Sequence, residues 1–336
     1  MTVCVAAICD GGRIVGAADR MLTSGDIEFE PQQRKILAMT SSIVLMVAGD
    51  ATIHAEVLDQ VRLDVDQALR DRPDEWVSVR SVVNSYQRYH RELLFNRAEI
   101  AILRPMGLTM NSFVTAIQNG LPSDLVTRLR AELNEFKLPD PTEAIIAGID
   151  TDGPQPDPKP ERRYTHLYEL VNAEAANLSM TGFAAIGIGR THANSQFMFA
   201  GYDRAWSLPK ALLVTYSAKR RAEVSPGVGR ATDMFLVGPG LGTYTDIGDH
   251  VIAELNQNYN QAQKNIQRAF KASEHRMVEF DKELARKQHE ARPPQAPPHP
   301  SIIGSLREAK PNPPQTTSDP SGPLPLQESP EQSGES

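Results

Sequence analysis

Cysteine, long apolar segments and secretory signals are all scarce or missing in this sequence. Its 336 residues contain only two cysteines, Cys4 and Cys9, which lie in or beside one predicted strand, five positions apart and therefore on opposite faces. They are poorly placed to bond each other, so a reducing compartment is expected. No run of about 18 apolar residues could cross a bilayer, and no basic-plus-apolar segment marks export. We therefore expect a cytoplasmic protein that does not bind membranes.

Charge, histidine spacing and glycine spacing each argue against a class of function. A net charge of −7 argues against a general nucleic-acid binder. The eight histidines are scattered without His-Glu-x-x-His spacing, and a single Cys-x4-Cys pair is weak evidence for a metal. The glycines at 187–189 lack the third glycine of a dinucleotide loop, and those at 238–242 lack the Lys-Ser/Thr of a phosphate loop. Both segments predict turns, and we predict no metal and no cofactor.

Short β-prone segments fill the first fifty residues. Thr2–Ile8 and Arg13–Ala18 are apolar and are joined by Asp10-Gly11-Gly12, which predicts a β-hairpin. Two more short segments follow, the first opened by Lys35 and the second closed by Gly49.

Thr2 has a special position because it directly follows a start methionine. Cytosolic methionine aminopeptidases remove Met1 when the next side chain is small, so we expect Thr2 to become the first residue. Its hydroxyl and a free α-amine would then lie on adjacent carbons. An α-amine has a reference pKa of about 7.7–8.0, so it can act as a base near neutral pH. Thr2 would supply nucleophile and base together; the alternative is a threonine that merely follows a start codon.

The spacing of these residues resembles that of the proteasome β-subunit family of N-terminal nucleophile (Ntn) hydrolases, in the style of its simple bacterial relatives. The family has a nucleophilic threonine, an Asp, a Thr-x-Gly, a Lys-Ile and an Ala-Gly in that order. The counterparts here are Thr2, Asp19, Thr23-Ser24-Gly25, Lys35-Ile36 and Ala48-Gly49. The separations Asp19 to Lys35 (sixteen) and Lys35 to Gly49 (fourteen) match the family. One additional residue between Thr2 and Asp19 is absorbed by the Gly11-Gly12 turn.

The resemblance implies a role for each matched residue. Thr2 Oγ would attack a peptide or other amide carbonyl and form an acyl-enzyme, while its own amine takes the proton. Lys35 would stand beside Thr2 as an ammonium, and Asp19 would keep Lys35 charged and oriented. The Gly49 N–H would donate to the developing oxyanion. Two more residues would pair with the substrate backbone: Thr23 and Gly25.

The sequence departs from the family at positions around the amine. Met21 stands where the family usually has an arginine, and Ile188 stands where it has a serine. The family's late aspartate has a loose counterpart at 223–229, where Glu223 or Ser225 would support the amine. Two hypotheses remain: a threonine-type hydrolase, and a non-catalytic assembly subunit that binds partners through its C-terminal helix and Pro-rich tail.

The resemblance implies an α+β fold, namely a four-layer αββα sandwich with two antiparallel sheets flanked by helices. We assign residues 1–244 to this domain. Helical periodicity at 51–69, 77–95 and 207–223 supplies its helices, and Tyr164–Leu170 with Thr181–Ile188 predicts a pair of strands.

The family's ring-forming members imply a homo-oligomer, a ring or stacked assembly, that acts on peptide or protein substrates. No residue pattern identifies an unfoldase.

Two segments extend this domain. A helical insertion at about 97–138, with a helix at 124–136 capped by Ser123, either rims the active site or is an indifferent surface element. Residues 245–290 predict a long helix. Twelve of the forty-six residues in 291–336 are proline, and this composition predicts a disordered tail, either plainly solvated or a polyproline ligand.

Overall fold

The computed structural model describes residues 2–24, 27–31, 34–151 and 163–290, without the side chains of Thr23, Ser24 and His289. The strands are β1 Cys4–Cys9, β2 Arg13–Ala18, β3 Leu22–Ser24, β4 Ile27–Phe29, β5 Ile36–Ala38, β6 Ile43–Ala48, β7 Glu143–Asp150, β8 Tyr164–Val171, β9 Glu174–Asn177, β10 Phe183–Ile186, β11 Asp233–Val237 and β12 Thr245–Asp246. The helices are α1 Ala51–Asp71, α2 Val79–Ala98, α3 Met110–Gln118, α4 Ser123–Glu135, α5 Arg190–Phe199, α6 Leu208–Ala222 and α7 Asp249–Glu290. The α+β class is confirmed.

Two five-stranded antiparallel sheets organise the described residues. The first has the order β10-β1-β2-β11-β12 and the second the order β5-β6-β7-β8-β9, while β3 and β4 form a separate pair. The predicted N-terminal hairpin is confirmed: Cys4 pairs with Ala18 and Cys9 with Arg13. Gly11 has a φ of +65° in the turn, a conformation that favours glycine.

The predicted pairing of Tyr164–Leu170 with Thr181–Ile188 is wrong. β8 instead pairs with β9 through a two-residue turn at Asn172-Ala173, and β10 pairs with β1 in the other sheet. Both turn residues have positive φ, 48° and 65°, as a tight hairpin requires. The turn was missed because alanine occupies a position at which glycine is the usual signal.

Strand alternation divides the apolar side chains among three cores. Cys4, Ala6 and Ile8 of β1 face the second sheet, in a core that both sheets share. The opposite side of β1, with Val5 and Cys9, packs on α5, α6 and the start of α7. The outer face of the second sheet packs on α1 and α2. All of β1 is therefore buried, and the two cysteines lie on opposite faces as free thiols.

The insertion after α2 forms a small helical element with its own apolar cluster. A π-helical turn at Glu99–Leu103 leads to α3, which was not predicted, and then to α4. The cluster contains Leu103, Phe113, Val126 and Leu129. The predicted cap is wrong, since Ser123 is the first helical residue and Pro122 precedes it.

The chain divides into two compact units, Met1–Ala272 and Ser273–Ser336. The first unit extends beyond residue 244 because Leu255 at the start of α7 is buried against the first sheet's helices. The predicted tail, 291–336, lies outside the described residues. No single described helix is both long and apolar enough to cross a membrane, although one bent pair, Val79–Met106 with Met110–Gln118, passes that test together.

Candidate functional site

Thr2 lies immediately before β1, and its side chain is enclosed by charged partners. The residue is 2% exposed. Its hydroxyl donates a hydrogen bond to Asp19 Oδ1 and accepts one from Lys35 Nζ. The hairpin register explains the first contact: Cys4 pairs with Ala18, so the next residues outward lie opposite each other, and Asp19 N donates to Val3 O at 3.2 Å.

Asp19 is a fully buried carboxylate that accepts five hydrogen bonds. Oδ1 accepts from Thr2 Oγ1, from Val3 N at 2.9 Å and from Lys35 Nζ at 3.0 Å. Oδ2 accepts from Met21 N at 3.1 Å and from Gly229 N at 2.9 Å. A buried charge is tolerated only when it is paired and hydrogen-bonded, and both conditions hold here.

Lys35 lies just before β5 and is 7% exposed. An ammonium has three N–H donors, and Lys35 Nζ has three acceptors: Thr2 Oγ1, Asp19 Oδ1 and the Met21 carbonyl oxygen. Met21 thus contributes through its main chain rather than its side chain. The structure brings Thr2, Asp19 and Lys35 together in one buried cluster.

The glycine turn that follows β10 holds the main chain of Thr2. Gly187 has a φ of +86°, and a Cβ there would collide with the Thr2 carbonyl oxygen. Gly189 N approaches the same oxygen at 3.4 Å. The side chain of Ile188 between them is half exposed. Glu143, which belongs to no motif in the sequence, accepts a hydrogen bond from Gly187 N at 2.5 Å.

Gly49 lies between β6 and α1 with a φ of +106°. A Cβ at this position would collide with the Pro141 carbonyl oxygen, so glycine is required by the backbone alone. The oxyanion role of Gly49 stays a prediction. So do the substrate-binding roles of Thr23, whose main chain pairs with Glu28 while its side chain is not described, and of Gly25, which lies outside the described residues.

Glu223 and Ser225 have their contacts at the end of α6 rather than at Thr2. Glu223 Oε1 accepts from Lys219 Nζ at 2.7 Å, and Glu223 Oε2 lies 3.5 Å from Arg220 Nε. The main chain of Ser225 forms a turn with Ala222. Neither contact involves Thr2, so their support of its amine stays a prediction.

Lys219 is a second buried ammonium, and no motif in the sequence indicates it. It is fully buried, and its Nζ donates to Gly229 O at 2.9 Å and to Arg230 O at 3.0 Å. Burial lowers the pKa of Lys219, and the carboxylate of Glu223 opposes that shift. Because Gly229 N donates to Asp19, Lys219 fixes the loop that completes the Asp19 hydrogen bonds. A Lys-Glu pair four residues apart is typical of an exposed helix face, so the sequence carried no signal for this role.

Two other kinds of chemistry, a thiol nucleophile and a bound metal ion, are not supported by the described residues. Burial raises the pKa of the Cys4 thiol to about 12, although Lys35 partly offsets the effect. This thiol is therefore protonated and unreactive at neutral pH. No group of three His, Cys, Asp or Glu residues within the described ranges could hold a metal ion.

The sequence matches no protein-family model, and a search of curated proteins found no match.

Proposed function

We propose that this protein is a threonine-type N-terminal nucleophile hydrolase. It cleaves peptide or other amide bonds through an acyl-enzyme on Thr2 once Met1 has been removed. The observation that carries the proposal is the buried contact of Thr2 Oγ1 with Lys35 Nζ, held by Asp19. An ammonium in contact with a hydroxyl favours loss of the hydroxyl proton, and the effect is larger in a buried, low-dielectric site.

The proton of the Thr2 hydroxyl needs an acceptor. The carboxylate of Asp19 accepts the hydrogen bond of this hydroxyl, but it is the buried counter-charge of Lys35 and would lose that role on taking up the proton. Lys35 is charged and has no lone pair to offer. The free α-amine of Thr2 is therefore the proposed base, directly or through one water, and it later protonates the leaving amine.

The arrangement of cores supports the four-layer αββα sandwich that this function implies. One core lies between the two sheets, one lies between the first sheet and α5 with α6, and one lies between the second sheet and α1 with α2. By the same resemblance we propose a cytoplasmic homo-oligomer, a ring or stacked assembly, with peptide or protein substrates.

A β-lactone or epoxyketone probe tests the proposal. We expect stoichiometric labelling of the wild-type protein, and peptide mapping should place the adduct on Thr2. Lys35→Ala should abolish labelling because the hydroxyl loses its cationic neighbour, whereas Lys210→Ala, on an exposed lysine, should not change it. Circular dichroism establishes that both variants are folded. Labelling of Lys35→Ala at the wild-type rate would contradict the proposal.

A second candidate is a non-catalytic assembly subunit that binds partners through α7 and the Pro-rich tail. It is favoured by Ile188, which offers no hydrogen bond at the family's serine position, and by the engagement of Glu223 with Lys219. A folded protein with a free Thr2 amine that no probe labels would support this candidate.

A further inference from the structure

A buried histidine holds the carbonyl group next to Gly49. His54, in the first turn of α1, is 2% exposed, and its Nε2 lies 2.9 Å from Ala48 O. A carbonyl oxygen only accepts, so Nε2 carries the proton. Nδ1 then accepts from the Tyr86 hydroxyl at 3.1 Å. Burial lowers the pKa of His54, which agrees with a neutral ring that has one donor and one acceptor nitrogen.

This hydrogen bond acts on the peptide group that carries the Gly49 N–H. The Ala48 carbonyl and the Gly49 N–H belong to one planar peptide and point in opposite directions. A donor that fixes the carbonyl therefore fixes the direction of the N–H.

The ladder between β6 and β7 ends at the pair Ala48 and Glu143. Ile149 N donates to Ser42 O, so every second pair along this ladder, including the last one, is a hydrogen-bonded pair in which Glu143 N faces Ala48 O. His54 adds a second donor to this carbonyl at the end of the sheet, where no further pair holds it. Among the described residues, none accepts a hydrogen bond from the Gly49 N–H.

We propose that His54 is a positioning residue for the oxyanion donor. Its hydrogen bond to Ala48 O, added to the strand pairing with Glu143, holds the shared peptide with the Gly49 N–H pointing away from α1, and Tyr86 selects the required tautomer. This role rests on the proposed hydrolase function, in which Gly49 binds the oxyanion.

Two variants and two reagents distinguish a role of His54 in positioning the Gly49 peptide from a role in core packing alone. His54→Gln keeps an N–H donor close to the Nε2 position, whereas His54→Leu keeps the volume and removes the donor. A β-lactone reacts through an oxyanion on its carbonyl. A peptide vinyl sulfone also reacts with the Thr2 hydroxyl, by addition to an alkene carbon, and forms no such oxyanion.

We expect His54→Leu to slow β-lactone acylation at least about tenfold, since losing an oxyanion donor outright costs about 100- to 1000-fold. The vinyl sulfone rate should stay within about twofold of wild type, which also demonstrates that the variant is folded. His54→Gln should restore most of the β-lactone rate. In wild type, ¹⁵N chemical shifts of the His54 ring should report a proton on Nε2.

Three results would overturn the positioning role of His54. The first is an unchanged β-lactone rate in His54→Leu, and the second is a parallel fall of the β-lactone and vinyl sulfone rates in that variant. The third is a proton on Nδ1 of His54 in the wild-type protein. A wild-type protein that reacts with neither reagent overturns the hydrolase function itself, and the role of His54 with it.

Discussion

Asp19→Asn replaces one buried oxygen by an NH2 group and hardly changes the side-chain shape. If the amide oxygen occupies the Oδ1 position, the NH2 group faces the N–H groups of Met21 and Gly229. In the opposite orientation it faces the donors of Thr2, Val3 and Lys35. At least two buried donors lose their acceptor in either orientation, and Lys35 loses its counter-charge.

The expected destabilisation follows from these losses. An orphaned buried donor costs about 1–3 kcal/mol and breaking a buried ion pair costs about 3–5 kcal/mol, so two orphaned donors and the broken pair should cost at least about 5 kcal/mol. This is a large fraction of the roughly 5–15 kcal/mol that stabilises a typical domain. The free energy of unfolding is measured by urea denaturation.

Asp10→Asn provides the matched control, because Asp10 makes a partly exposed ion pair with Arg13 at 3.0 Å. Such pairs contribute about 0–1 kcal/mol, so the control should lose less than about 1 kcal/mol. An Asp19→Asn protein as stable as the control would refute the five-donor network and the geometry built on it.

Three further predictions concern buried groups. Lys219→Met removes the donor to Gly229 O and Arg230 O, so labelling of Thr2 should slow several-fold and amide exchange at Gly229 should accelerate, measured by hydrogen-exchange mass spectrometry; unchanged exchange would contradict this. Native Cys4, with its pKa raised to about 12, should react with iodoacetamide about a thousandfold more slowly at pH 8 than in urea, and equal rates would contradict its burial. Burial lowers the pKa of His54 and His90. The unfolded chain therefore binds more protons below about pH 6.5, and the free energy of unfolding should fall with acidification by up to about 1.4 kcal/mol per pH unit for each group. Urea denaturation at pH 7 and pH 5.5 should show a flatter dependence for His54→Gln, and an identical slope would contradict the assignment.

Local pattern was sufficient for two of the three clustered residues of the site. Thr2 and Asp19 meet because a hairpin with a glycine turn fixes their register, and hairpins are readable from sequence. Lys35 reaches them from the edge of the other sheet, at a spacing taken from a family resemblance rather than from periodicity.

Residues that act through tertiary contacts were not predictable. Lys219 and Asp19 are two hundred positions apart, and only the fold shows that the loop at Gly229 joins them. Glu143 opens a strand, where sequence gives no indication that a carboxylate is buried beside Gly187. His54 lies within an amphipathic helix, in which a lone histidine is more often a core or surface residue.

Intact-mass spectrometry before and after treatment with the β-lactone shows whether Thr2 becomes a terminal nucleophile. The hydrolase proposal requires a main species without Met1 that gains the mass of one adduct. Retained Met1, or a Thr2-terminated protein whose mass does not change, would contradict it.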